Sequence, residues 1–369
     1  MKAVKTRTPV QIVVARDRTD RRTDAYVDTL RIAFEGSADS AGSPSAYLAE
    51  AVDLGIRVLE PGGGLETIEA RRLVEGARDT VFVVIGDWPE GSDELRETSR
   101  GREVVKVPSP PERGDGETQG ARPEDGVEAA LAPVVTALWA MERARRVLVS
   151  RMSGGERVPE RCRGLRLFIS HAKADGVAMA NSLIGVLQQL KAAGGQRVGF
   201  DYFYDAQHIE SGSVWRSVIK GEASRSMLIA LRTEAYEGRY WCRREFLAAE
   251  RRGLPIVAVD LRKEPYHDSA LLPFDVVPSV RVHDGNLIRV VLHAMATHLR
   301  ALRAQSMAPE VQVLPHRPSV YSLSGVLQAG MASRIAYPGP KLSNIFVQAV
   351  APMLRRGSSA AQLVTFDEL

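Results

Sequence analysis

A carboxylate and a tryptophan stand four residues apart in Trp241-Cys242-Arg243-Arg244-Glu245, and on a helix that spacing puts both on one face. Roughly seventy residues earlier, Leu167-Phe168-Ile169-Ser170-His171-Ala172-Lys173-Ala174-Asp175 runs an apolar strand straight into a turn rich in hydroxyl, imidazole, ammonium and carboxylate groups. A carboxylate such as Glu245, on the first turns of a helix beside a cleft, can accept hydrogen bonds from vicinal hydroxyls and stabilise a growing positive charge. The plainer alternative is a solvated helix residue balancing Arg243 or Arg244. Ser170, His171 and Lys173 can donate to hydroxyls or to a pyrophosphate, and Asp175 is suited to capping the helix that follows. Nothing near His171 in sequence supplies a nucleophile or an orienting acid, so it reads as a hydrogen-bonding wall residue and not as a general base.

These segments need a scaffold, and the pattern from Leu165 onward supplies one. Strands are expected at 165–170, 199–204, 226–231, 255–261 and near 280–282, with helices near 177–192, 214–223, 240–252 and 287–302. In the first of these helices Ala180, Ile184, Leu187 and Leu190 recur at three or four residues, which marks its core face. A run of βα units of this kind gives a doubly wound parallel sheet, which takes ligands at the carboxyl ends of its strands. Asp205 follows the second strand at such an end. It opens the segment Asp205-Ala206-Gln207-His208-Ile209-Glu210-Ser211-Gly212-Ser213-Val214-Trp215, where Gly212 suits a turn, Ser213 an N-cap and Trp215 the core.

In this order and spacing the three segments resemble the Toll/interleukin receptor (TIR) domain of bacterial type, over about residues 165–303. The resemblance implies a flavodoxin-like α/β fold, and either an adhesive module or an NAD-cleaving enzyme. TIR domains that hydrolyse NAD carry their catalytic glutamate in a Trp-x-x-x-Glu segment on the third helix, which Trp241 and Glu245 match; Tyr236 through Glu245 resembles the run that commonly leads into it. By that match Glu245 is the expected catalytic residue, and Trp241 would offer a stacking face to a base ring. Ser170, His171, Lys173 and Asp205 would border the nucleotide. NAD would be the substrate and not a bound cofactor. Its leaving nicotinamide is already cationic and needs no acid, so one carboxylate that orients the ribose and stabilises an oxocarbenium-like state is enough. The segment from Asp205 resembles the family's BB loop, which gates the nucleotide site and mediates TIR-to-TIR packing. The implied function is an NAD nucleosidase yielding linear or cyclic ADP-ribose, switched on by self-association, as in prokaryotic antiviral defence or cell-suicide signalling. The alternative is a non-catalytic TIR scaffold.

The rest of the chain gives architecture only. Its 369 residues suit two domains with a tail. Strands at 10–15, 57–60, 80–85 and 104–107, alternating with helices at 45–55 and 66–77, predict a small α/β domain over residues 1–150, flavodoxin-like and loosely TIR-like in element order; the TIR resemblance of the second domain implies that this one would meet a sensor or signal partner. Residues 108–126 hold four prolines and four glycines with almost nothing apolar, a solvated loop by composition. A helix or connector is expected at 127–149. After residue 305 the pattern weakens: a strand at 311–315, a turn at Tyr337–Pro340 and a helix at 342–351 stopped by Pro352, in an extension that packs on the second domain, aids assembly or belongs to a longer architecture.

Composition excludes little but narrows the partners. Lys and Arg number 49 against 45 Asp and Glu, so the pI near 9.1 reflects a small excess, and no basic stripe interleaved with aromatics argues for nucleic acid. Cys162 and Cys242, eighty residues apart, form neither a disulfide framework nor a metal-ligand spacing. No apolar run approaches the ~20 residues that span a bilayer, and the run at 10–15 is too short for a signal peptide. The expected setting is cytoplasmic, with no membrane partner and no metal.

Overall fold

A computed structural model describes residues 10–16, 20–35, 58–59, 79–85, 96, 103–107, 123–153, 165–194, 198–204, 226–263, 272–282, 287–328, 333–355 and 361–369. The helices expected at 45–55, 66–77 and 214–223, most of the loop at 108–126, and the segment from Asp205 to Trp215 lie outside these residues. By contact density the chain falls into two compact units, residues 1–148 with 189–199, and residues 149–188 with 200–369. Every strand pair described is parallel, with helices between the strands, so this is an α/β protein of the doubly wound kind.

The first unit is a four-stranded sheet in the order β2-β1-β3-β4, from β1 (Val10–Arg16), β2 (Val58–Leu59), β3 (Asp79–Ile85) and β4 (Glu103–Val107). Ile12 to Ala15 and Val81 to Ile85 are all buried, as continuous apolar runs in a parallel sheet must be. Helix α1 (Asp24–Glu35) was not expected from sequence. It buries Tyr26, Val27, Leu30, Ala33 and Phe34, one helical stripe. Helix α2 (Pro123–Met152) starts four residues before the expected helix, with Pro123 at the first helical position, where its missing N–H is no loss. Inside it Glu142, 1% exposed, accepts two hydrogen bonds from the equally buried Arg145 and a third from Arg146, at 2.7–2.9 Å.

The second unit holds a five-stranded sheet in the order β6-β5-β7-β8-β9: β5 (Leu165–His171), β6 (Phe200–Tyr204), β7 (Ser226–Arg232), β8 (Ile256–Asp260) and β9 (Ser279–Arg281). The strand order reverses between β5 and β7. That crevice is where a doubly wound sheet leaves room for a ligand. Helix α3 (Val177–Gly194) follows β5 and buries Ala180, Leu183, Leu187 and Leu190. Leu183 thus takes the inward place expected of Ile184, which is only half-buried, because spacings of three, four and three track the 3.6 period from Ala180. Helix α4 (Tyr240–Arg251) joins β7 to β8 and turns Cys242, Phe246 and Ala249 into a core shared with Phe168, Leu228, Ile256 and Phe274.

The C-terminal extension is more regular than its sequence suggests. Helix α5 (Ile288–Met307) leads to β10 (Gln312–Val313), α6 (Val320–Gln328), β11 (Arg334–Tyr337), α7 (Asn344–Leu354) and β12 (Gln362–Thr365), a second parallel sheet in the order β10-β11-β12. Residues alternate along β11: Ile335 and Tyr337 pack with Leu323, Val326, Val350 and Leu354 of α6 and α7, while Ala336 faces Ala304 and Ala308. The turn expected at Tyr337–Pro340 therefore begins as a strand. Pro352 does not stop α7 but sits in its last turn, where a missing N–H forfeits a single ladder bond. Helix α5 serves both sheets, packing on β7, β8 and β9 and also on β10. No described helix is long and apolar enough to cross a membrane.

Candidate active site

Ser170 is the sixth residue of β5, at the carboxyl end of a central strand, and is 2% exposed. Its Oγ lies 2.6 Å from Oε2 of Glu245 and 2.9 Å from the hydroxyl of Tyr236. An ionised carboxylate can only accept, so Ser170 donates its one proton to Glu245, and Tyr236 must then donate to Ser170. The result is a directed chain, Tyr236 to Ser170 to Glu245, ending on the carboxylate. Tyr236 is fully buried, and its phenol is held well above its ordinary range, first by burial and then by its acidic neighbours Cys242 and Glu245. It remains a donor at any physiological pH. Its ring packs edge-on against Phe274, 5.9 Å between centroids, so the hydroxyl cannot swing away without disturbing the core.

The elements fix this geometry from below. Cys242, Phe246 and Ala249 anchor the inner face of α4 and leave Glu245, half-buried, at the edge facing β5. Cys242 donates to the carbonyl of His171 at 3.4 Å, a second tie between α4 and the end of β5. Burial, and next the neighbouring Glu245 charge, push the Cys242 thiol up to about 12. Cys242 is therefore expected to stay unmodified by iodoacetamide at pH 8 in the native protein and to react on unfolding in urea; rapid native labelling, read by mass spectrometry of its peptide, would contradict this burial. The same shift sets a sign for stability. The folded thiol stays neutral while the unfolded one ionises from about 9, so its contribution is complete below pH 9 and is lost as pH rises toward 12.

Asp175 does not cap α3. Its carboxylate reaches the turn before α4, accepting from Thr233 Oγ1 at 2.7 Å and from the amide of Ala235 at 2.9 Å. That sews the turn after β5 to the turn after β7 and fixes where Tyr236 begins. Beside it, Arg232 at the end of β7 pairs with Glu237 at 2.7 Å, and Asp260 at the end of β8 pairs with Arg262 at 2.9 Å.

The expected residues thus meet unequally. Ser170 and Glu245 are in direct contact, with the serine proton already committed to the carboxylate. His171 is half-buried one residue on, and Lys173 is exposed in the following turn. Trp241 is 48% exposed on the first turn of α4, its ring 5.2 Å from that of Tyr240 and 5.3 Å from the guanidinium of Arg244. Asp205 falls outside the described residues. Tyr236 and Cys242 are the members that motif reasoning left without a role. An aromatic inside the polar turn Thr233-Glu234-Ala235-Tyr236 was the available clue to the first. Among the described residues no cluster of three His, Cys, Asp or Glu side chains could hold a metal ion.

Fold and site together describe an α/β protein with a carboxylate held at the switch point of a parallel sheet. Beyond that the chain stands by itself: no family model, no curated protein and no solved structure matches it.

Proposed function

We propose that the second unit is a TIR-like NAD nucleosidase in which Glu245 is the catalytic carboxylate. The observation that carries this reading is the seryl hydroxyl of Ser170 donating to Glu245 at the strand-order reversal, which orients a carboxylate where a doubly wound sheet takes its ligand. A carboxylate so oriented accepts from the ribose hydroxyls and stabilises the oxocarbenium-like charge as nicotinamide departs with the bonding electron pair. Water or a group of the adenine end then captures the ribose, giving linear or cyclic ADP-ribose. His171 and Lys173, at the end of β5 and in the turn after it, would meet the diphosphate, and the exposed ring of Trp241 would meet a base. Self-association would complete the site, in a cytoplasmic defence or suicide role with the first unit as sensor.

The test is nicotinamide release from NAD by the full chain across a wide range of protein concentration, beside Glu245→Ala. Turnover that is lost in the variant, and that rises more steeply than in proportion to protein, supports an enzyme activated by assembly. Wild-type silence at every concentration, including under crowding or forced oligomerisation, would sink the enzyme reading.

One observation favours a second reading, a non-catalytic interaction module. Tyr240 and Trp241 are 60% and 48% exposed beside Arg244, and Tyr, Trp and Arg are the side chains that dominate binding hot spots. On that reading Trp241→Ala abolishes self-association and Glu245→Ala leaves every function intact.

A further inference from the structure

Glu250 is a second carboxylate on α4, and it has no motif to announce it. It lies five residues beyond Glu245, about 140° further round the helix, so the two point to nearly opposite sides. Its side chain is completely buried. A buried carboxylate costs several kcal/mol unless its lone pairs are met, and the groups around this one come from the C-terminal extension. Ser319 donates its hydroxyl proton to Glu250 Oε2 at 2.5 Å. The same Oγ accepts from the amides of Tyr321 and Ser322, both at 3.1 Å, so Ser319 is also the N-cap of α6. The N-terminal end of α6 is thereby set against the Glu250 carboxyl group. His316, also buried, donates from Nδ1 to the carbonyl of Arg317 at 3.1 Å and stands 3.6 Å from Glu250 Oε1, which accepts no hydrogen bond, so Ser319 is the donor that holds this carboxyl group. Further along, a Cβ on Gly325 would overlap the backbone carbonyl of Arg251, so α6 touches the end of α4 backbone to backbone.

Helix α4 is therefore gripped on two sides by two serines, Ser170 on Glu245 and Ser319 on Glu250. We infer that the C-terminal extension is part of the construction of the site: through Ser319, Glu250 and the Gly325 contact it fixes the rotation and depth of α4, and so positions Glu245. As far as catalysis is concerned, this rests on the reading of Glu245 as the catalytic carboxylate. Ser319, Glu250 and Gly325 are positioning residues, since none of them faces the strand ends where substrate would lie.

The test uses the full chain with Ser319→Ala, Ser319→Thr and Gly325→Ala, followed by hydrogen exchange and by nicotinamide release per folded molecule. Ser319→Ala removes the donor to Glu250 and the α6 cap, and Gly325→Ala drives α6 off α4 without altering a polar group. Both are expected to speed amide exchange within residues 240–251 while β5 and β8 keep their protection, and to lower kcat about tenfold or more with KM for NAD within about twofold. Ser319→Thr keeps the hydroxyl and is expected to restore both. Unchanged exchange in 240–251, or faster exchange with wild-type turnover, would overturn the inference. Should the wild type release no nicotinamide, the enzyme reading fails separately, and exchange confined to α4 still decides whether the extension seats that helix. Should Gly325→Ala fail to fold, the pair Ser319→Ala and Ser319→Thr carries the comparison alone.

Discussion

Glu245→Gln is expected to lower nicotinamide release from NAD by about 100-fold or more while the protein unfolds at nearly the wild-type temperature. The glutamine keeps an oxygen to accept from Ser170, so the chain from Tyr236 stays satisfied and only the charge is lost. Glu245→Ala should be equally inactive but less stable, by about 1–2 kcal/mol, because it leaves a buried seryl hydroxyl with no carboxylate to receive its proton. An exposed helix glutamate would cost next to nothing on truncation, which is what sequence alone leads one to expect here. Thermal or urea unfolding of the two variants separates these cases. Equal stability of the two would argue that Ser170 finds another acceptor, and an active Glu245→Gln would remove Glu245 from the chemistry altogether.

Arg145→Ala is expected to produce the largest loss of stability, about 3 kcal/mol, and to place it in the first unit. Glu142 and Arg145 are both almost wholly buried in α2, and removing one partner strands the other's charge. Arg146 keeps one bond to Glu142 but is 45% exposed, so it compensates in part only. Replacing both members, Glu142→Leu with Arg145→Leu, should recover most of the loss, since a buried ion pair is seldom more stabilising than apolar groups of similar volume. Hydrogen exchange of residues 131–149 reads the effect in place. A single substitution as mild as the double one would show that the pair is hydrated.

The parts of the molecule that could be read in advance are those that burial dictates. Strands β1, β3, β5, β7 and β8 are predominantly apolar, and each was legible to within a residue or two, because both faces of a parallel sheet are covered. Strands β11 and β12 were missed. At four residues each they carry too little pattern, and they exist because α5, α6 and α7 pack on them. The site divides in the same way. Glu245 and Ser170 were recognisable from local spacing, since each sits in a contiguous segment. Tyr236 and Glu250 were not, because their roles depend on residues 66 and 69 positions distant. Ala248-Ala249-Glu250-Arg251-Arg252 reads as an ordinary solvated helix end until α6 lies across it. Asp175 shows the limit from the other direction: an aspartate just before a helix is a natural cap, and a competing backbone amide at Ala235 claimed it instead.

Helix α5 also works as a ruler. Among the described elements its twenty residues link the sheet that carries Ser170 to the β10-β11-β12 sheet, and both sheets are packed on it. One residue inserted midway would turn everything beyond it by about 100° and advance it by about 1.5 Å. Ser319 would then miss Glu250, and Gly325 would meet a different part of α4. A chain built in this way can vary freely in its exposed turns but not in the length of that one helix, so the count of residues between 288 and 307 is itself part of the specification of the site.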